Sequence, residues 1–514
     1  ITSFSINGYK ARINGTTIKS VLPIGTSATS LTPVITHNGA AISPESGTAQ
    51  DFSSPVTYTV TATDGTTEKY TVSVTILDAA GMANANLSVL KVKKGKLQPD
   101  FSSSQISYLD APIPFSDSAN PAYNAKQSNS VIADPEILIA TMTINGTPVE
   151  NAQEYLISNL AVGPNNVEIK VTSADKTTTN TYSVTMYRAI PIFKTGAGYY
   201  SGINPLEDGA TQRGVSWPNP RFKDNGNGTV TDIMTGLMWL KDANKISATY
   251  SFNNAVIEAQ NITGFSGYYD WYLPNVNEML SLLNYRQLGT DYLSLFFDNC
   301  SSSFNWWTST SSPDYTTTIG ISLKMDNNLL ANDSKTSEGF VWAVRGNSKV
   351  LPKTGQSISY VLTMGDDGDM EKGLEWPNPR FYQDTTGTIV DNMTSLMWFK
   401  TPDSTYRKWL ASIYLINTTI NNDPTKNFGY TDWRLPNINE LRSLLYFGQP
   451  PLLSYLSSNF NVSGITECWT STSFPVSSGL FAYQIYFSQQ IISAGNKTTS
   501  GQTFPVRQAK IINY

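Results

Sequence analysis

The chain has 514 residues, 35 Lys+Arg against 40 Asp+Glu, a formal charge of −5, and charged residues make up only 15% of it. At about 150 residues per domain this is three or four domains. The thin, slightly acidic charge excludes a general nucleic-acid binder and polybasic docking on an anionic membrane. The single histidine, His37, and the two cysteines, Cys300 and Cys468, exclude His-rich metal sites and zinc or iron–sulfur clusters. The C-terminal half has no histidine to serve as the base of a Ser-His-Asp hydrolase.

The front of the chain alternates with period two. Val56, Tyr58 and Val60, the turn Asp64-Gly65, and then Tyr70, Val72, Val74 and Ile76 predict a hairpin over 55–76. Val167, Ile169 and Val171, followed by Tyr182, Val184 and Met186, predict a second one over 167–187. Each hairpin closes a Thr/Ser/Gly/Pro-rich stretch of the size of an immunoglobulin-like sandwich, with another all-β fold as the alternative. A long stretch around 112–140 breaks the second segment's pattern and reads as an insert.

All 11 tryptophans fall after residue 190, so a second kind of module starts near Pro191. It is a duplication. WPNPRFKDNGNGTVTDIMTGLMWLK (217–241) matches WPNPRFYQDTTGTIVDNMTSLMWFK (376–400), and GYYDWYLPNVNEMLSLL (267–283) matches GYTDWRLPNINELRSLL (429–445). In each copy a short aromatic strand ends at a Pro. An Asn-x-x-Glu capping box (Asn275 and Glu278; Asn437 and Glu440) then starts an apolar-faced helix. Residues 252–262 and 406–419 predict a further helix per copy, and 317–324 and 481–487 predict strands. The repeated Trp239, Trp398, Trp271 and Trp433 are expected to be core anchors.

Three resemblances follow from these motifs. Residues 1–77, with ITSFSING and SSPVTYTVTATDGTTEKYTVSV, look like bacterial Ig-like repeats of exported proteins. Residues 84–188, with LSVLKVKKGKLQPDFSSSQISY and VEIKVTSADKTTTNTYSVTMYR, resemble a cadherin-like β-sandwich family of bacterial surface proteins. The doubled WPNPRF…TGLMW…DWRLPN…NEL…W-STS…VR set resembles the C-terminal domain of a collagen-like bacterial adhesin that binds glycosaminoglycans. That resemblance implies a C-type-lectin-like fold related to the formylglycine-generating-enzyme group. The enzyme branch works through a reactive cysteine pair in one domain. Here each copy has one cysteine, at non-equivalent positions, so that chemistry is not expected. A bridge between Cys300 and Cys468 and two lone thiols are both open.

Asp224-Asn225-Gly226-Asn227-Gly228-Thr229 has the oxygen spacing of a calcium loop but no Glu at its twelfth position, and reads better as a hairpin turn. Asp366-Asp367-Gly368-Asp369 reads as a solvated turn. What remains is surface binding by the rims that differ between copies. The candidate residues are Tyr269, Trp306, Tyr315, Lys324, Asn327 and Asn328 in copy one, and Tyr483, Gln489 and Asn496 in copy two. Aromatic faces and amides suit sugars or peptide surfaces.

The expected architecture is two all-β Ig-like and cadherin-like sandwiches (1–77, 78–190) followed by two α+β C-type-lectin-like domains (191–350, 351–514). The expected function is non-catalytic, adhesin-type binding of glycan or protein by an exported bacterial surface protein. The second reading is a self-assembling subunit of an extracellular fibre, sheath or appendage. No cofactor, no metal, no nucleic-acid partner and no direct membrane insertion are expected. The start at Ile1, with no apolar run of about 18–20 residues anywhere, is read as a mature chain whose export signal has been removed.

Overall fold

Period-two alternation becomes two-layered sheet at the front of the chain. In the computed structural model, which describes all residues except 114–126, 199–203, 288–289, 301–304, 316, 362–363, 386, 476–478 and 510–514, Val56–Thr61 and Thr67–Ile76 pair antiparallel across the Asp64-Gly65 turn. They sit in a five-stranded sheet that faces a three-stranded one. Phe4, Ile18, Tyr58 and Val72 fill the space between the two layers. The second sandwich packs six strands against three over Leu87, Leu90, Val131, Ile169 and Tyr182. Its predicted hairpin is Gly163–Thr172 with Thr179–Arg188. Part of the 112–140 stretch is sheet rather than insert. Gln127–Pro135 is the middle strand of the three-stranded sheet, paired on both sides, while 114–126 lies outside the described residues.

The duplicated half is strand-dominated, with helices of nine residues or fewer. Both capping boxes form: Asn275 and Asn437 accept from the N3 amides of Glu278 and Glu440, whose carboxylates reach back to the Asn amides. Phe252–Gln260 is helical as predicted. In copy two the predicted helix 406–419 starts later. Asp403–Lys408 is drawn into a strand by pairing with Ser500–Thr503, and Trp409–Tyr414 runs on into a π-helical turn, Leu415–Ile420. Each copy has a four-stranded sheet built on its WPNPRF and TGLMW segments. Arg221 pairs with Asp232 and Arg380 with Asp391, at 2.9 and 3.1 Å, all four nearly fully buried. Burial of such pairs is stabilising only when further hydrogen bonds complete them. Here each Arg also donates to the carbonyl of Ser281 or Ser443 and stacks on Trp217 or Trp376, while its Nη1 has no hydrogen-bond partner among the described residues, so the pairs are completed only in part.

The two copies share one sheet of ten strands. Its order is Thr249–Tyr250, Gly339–Phe340, Asn305–Ser311, Ile319–Lys324, Leu329–Ser334, then Ile491–Asn496, Phe481–Tyr486, Glu467–Ser473, Ser500–Thr503, Asp403–Lys408. The second five are the matched strands of copy two in reverse order. The copies meet edge to edge at Leu330 and Ile492, antiparallel, as a two-fold relation requires. Pairing these edges removes an exposed strand from each copy.

Each copy also extends an arm onto the other. Asn439 and Asn437 of copy two donate to the Phe193 and Arg213 carbonyls of copy one's arm. Asn277 and Asn275 of copy one donate to Pro352 and Lys372 of the opposite arm. A buried carboxylate latches each arm. Asp208 Oδ2 accepts from Thr195 of its own arm at 2.6 Å and from Thr472 of copy two at 2.7 Å. Asp367 Oδ2 accepts from Thr354 at 2.6 Å and from Thr310 of copy one at 2.7 Å. This corrects the solvated-turn reading of Asp366-Asp367-Gly368-Asp369. Residues 367–370 form one helical turn, with Asp366 and Asp367 buried.

The latches make stability pH-dependent. Burial, opposed in part by the threonine hydroxyls, pushes the Asp208 carboxyl up to about 6 and the Asp367 carboxyl up to about 7. A carboxyl raised above its unfolded value contributes stability that is full below that value and lost as pH rises through the folded one. Glu278, pushed up to about 7 by burial, adds in the same sense. Raising pH from about 5 to about 8 is therefore expected to lower the unfolding midpoint of the paired copies. Tryptophan fluorescence isolates them, because every tryptophan lies there. The D208N/D367N double variant should show a clearly shallower pH slope, and an unchanged slope would remove the latches as its cause.

Candidate functional site

The edge-to-edge pairing leaves a cleft where the loops of the two copies flank the seam. Its volume is about 970 Å³. Copy one supplies Asp314, Tyr315 and Asn332, and copy two supplies Pro451, Leu453 and Gln489. Local chemistry explains each wall. Loop 312–319 is closed by the Tyr315 carbonyl, which accepts from the Thr318 and Ile319 amides at 3.0 and 2.8 Å. That loop is tied to copy two by Gln449 Nε2, which donates to the Pro313 carbonyl. The opposite wall is the start of helix Leu452–Ser457. Asn332 donates to the Gln489 carbonyl at 2.9 Å, across the seam.

The cleft presents groups with unused capacity. Tyr315 is 63% exposed. Asn332 also lines it, its Oδ1 buried with no hydrogen-bond partner among the described residues, and a buried acceptor left unpaired is unfavourable by about 1–3 kcal/mol. Partial burial pushes the Asp314 carboxyl above its ordinary value. An aromatic face, an apolar floor from Leu453 and Pro451, amides and a carboxyl can together stack against and hydrogen-bond a polyhydroxylated or peptide surface.

The nine candidate residues scatter. Tyr315 and Gln489, from different copies, come together in the cleft. Tyr269 is 75% exposed but stands elsewhere, on the turn before Trp271. Lys324 ends its strand opposite Asn305, and Asn327 caps the following turn by accepting from the Leu329 amide. Asn496 closes a turn by accepting from Thr498. Three candidates cannot meet a partner in this structure, because they are buried. Trp306 packs against Phe340 and Trp342, Tyr483 packs edge-on to Tyr285, and Asn328 donates to the Asn284 and Gln287 carbonyls. Asp314, Asn332 and Leu453 were missed. Only the pairing of the two copies brings them together, and no local pattern carries that information.

The cysteines are free thiols, both buried, one in each copy, which corrects the bridged alternative. Burial pushes the Cys300 thiol up to about 12 and raises Cys468 as well, the direction that makes a thiol inert. The Asp224–Thr229 segment is a hairpin turn between Phe222–Asp224 and Thr229–Asp232, with Asp224 accepting from Gly226 and paired to Lys241. Trp239, Trp398, Trp271 and Trp433 are at most 2% exposed, as core anchors should be. No helix among the described residues is long and apolar enough to cross a membrane.

Comparison with known proteins divides the chain in the same places. Residues 1–74 match the SGBP N-terminal family, and 87–189 match the cadherin-like β-sandwich family. Residues 228–345 and 387–507 both match the Lcl C-terminal domain. The chain is thus a multidomain protein with β-sandwich domains at its front, followed by two copies that are each similar to the Lcl C-terminal domain. No curated protein matches it. Among solved structures, a protein of Bacteroides thetaiotaomicron described as a glycoside hydrolase is 17% identical over 36% of this chain and 81% of its own, with a TM-score of 0.15. The C-terminal 282-residue fragment of intimin, in complex with the intimin-binding domain of its translocated receptor, is 11% identical over 50% and 98%, with a TM-score of 0.17. At these scores neither likeness carries weight.

The contrast between candidates can be measured. Tyr315→Ala is expected to leave stability within about 0.5 kcal/mol, as for an exposed residue. Trp306→Ala should cost about 3–5 kcal/mol. Urea denaturation followed by circular dichroism distinguishes the two, and similar losses would contradict the burial assigned to them.

Proposed function

We propose that this is a non-catalytic surface protein that binds glycan or protein in the cleft between its two C-terminal copies. The observation that carries the reading is the cleft itself: an exposed aromatic ring, Tyr315, stands beside Asp314, Asn332 and Gln489, with apolar floor residues from the other copy. Four units, 1–77, 78–190, 191–350 and 351–514, divide the work. The two sandwiches act as spacers, and the paired copies act as one lectin-like head. The matches to the SGBP N-terminal and Lcl C-terminal families support surface binding. An adhesin-type role fits an acidic chain with few charges better than recognition of a polyanion, which needs a dense cationic patch.

A glycan array and a panel of matrix proteins test this with the wild type and with Tyr315→Ala. A ligand should emerge, and Y315A should weaken it at least about tenfold, the range of one lost stacking contact. Gln489→Ala should weaken it less. Silence on both panels, or full binding by Y315A, would overturn the assignment to this cleft.

A further inference from the structure

The same position is built differently in the two copies. In copy one Tyr272 is 2% exposed. Its hydroxyl donates to Glu278 at 2.7 Å, and Lys372 of the opposite arm lies 4.8 Å from its ring centre. The ring fills the space. In copy two the matched residues are Arg434, Glu440 and Arg213. Arg434 gives both terminal nitrogens to the Glu440 carboxylate at 2.6 Å. Beside that closed pair lies a pocket of about 300 Å³, with Ile190, Ile192 and Leu396 as its apolar wall.

The pocket is lined by two cations, Arg213 and Arg434, and two anions, Asp432 and Glu440. Arg434 is matched by Glu440, and Asp432 is matched by Arg507 at 2.7 Å. Arg213, exposed at the mouth, forms no ion pair among the described residues. Among the described residues Arg213 is thus the lining cation outside an ion pair, and a guanidinium fork fits a carboxylate with two parallel hydrogen bonds. The volume stands at the lower end of small-molecule sites, about 300–1,000 Å³. We propose that this pocket binds a compact, carboxylate-bearing ligand of monosaccharide size, its anion on Arg213 and its body against Ile190, Ile192 and Leu396. Ile190 and Ile192 come from the linker between the second sandwich and copy one, so an occupant would touch three parts of the chain.

Calorimetric titration of the full chain with galacturonate and with galactose isolates the carboxylate at nearly constant shape. Galacturonate should bind in the millimolar range and galactose at least about tenfold more weakly. Arg213→Gln, at an exposed position, should cut galacturonate affinity at least about tenfold. Arg434→Tyr, which copies the closed arrangement of copy one, should abolish binding while tryptophan fluorescence reports an intact fold. Raising salt to about 300 mM should weaken the wild type. Equal binding of both sugars, wild-type affinity in R213Q, or no binding up to about 50 mM ligand would each overturn the proposal. The pocket and the cleft share no lining residue, so this titration and the Tyr315 test fail independently.

Discussion

Two buried carboxylates, each held by one threonine of its own arm and one of the opposite copy, organise the C-terminal half. Among the described residues Asp208 and Asp367 have no cationic partner at hydrogen-bond range; hydroxyl donors stabilise them instead. A charge in that position is tolerated only while both donors are in place. Removing either copy would take away Thr472 or Thr310 and leave the other copy's arm with a half-satisfied buried carboxylate. The duplicated copies are therefore one folding unit rather than two beads. The ten-stranded sheet, joined at Leu330 and Ile492, is the other face of the same dependence.

Local features were readable from the amino acids alone. The capping boxes at Asn275 and Asn437, the hairpins around Asp64-Gly65 and Asn225–Gly228, and the buried repeated tryptophans all rest on neighbours a few residues apart. The arm exchange does not. Asp208 and Thr472 are 264 residues apart, and a duplicated pair closed on itself would have the same local sequence. The Asp366-Asp367 run looks like water-exposed acid until a partner copy covers it. Tyr483 and Asn328 mislead for a related reason. Both belong to divergent, polar-aromatic stretches, yet the sheet that contains Phe481–Tyr486 is covered on both faces, and residues 482–485 are buried without interruption. Tyr315 and Gln489 were legible as loop residues, but the cleft between them was not.

Doubling a unit and then letting its rims diverge explains why the two sites described here are not mirrored. The frame must keep Asp, Thr, Asn and the buried Arg–Asp pairs at matched positions, because each serves the other copy or its own core. Positions outside the frame are free. Tyr272 and Arg434 occupy one such place, and their difference turns a closed packing contact into an open polar pocket. Two identical copies would present equal surfaces; these two differ in chemistry at Tyr272 and Arg434.

The second sandwich does not simply hand the chain on to copy one. The Ile190 amide donates to the Met393 carbonyl of copy two, Tyr187 reaches the Glu375 carbonyl, and Asn392 reaches Gln98. The second sandwich is thus bonded directly to copy two as well as joined by the chain to copy one. Because the arms lock the halves reciprocally, separating either half from the sandwich would have to break contacts of both.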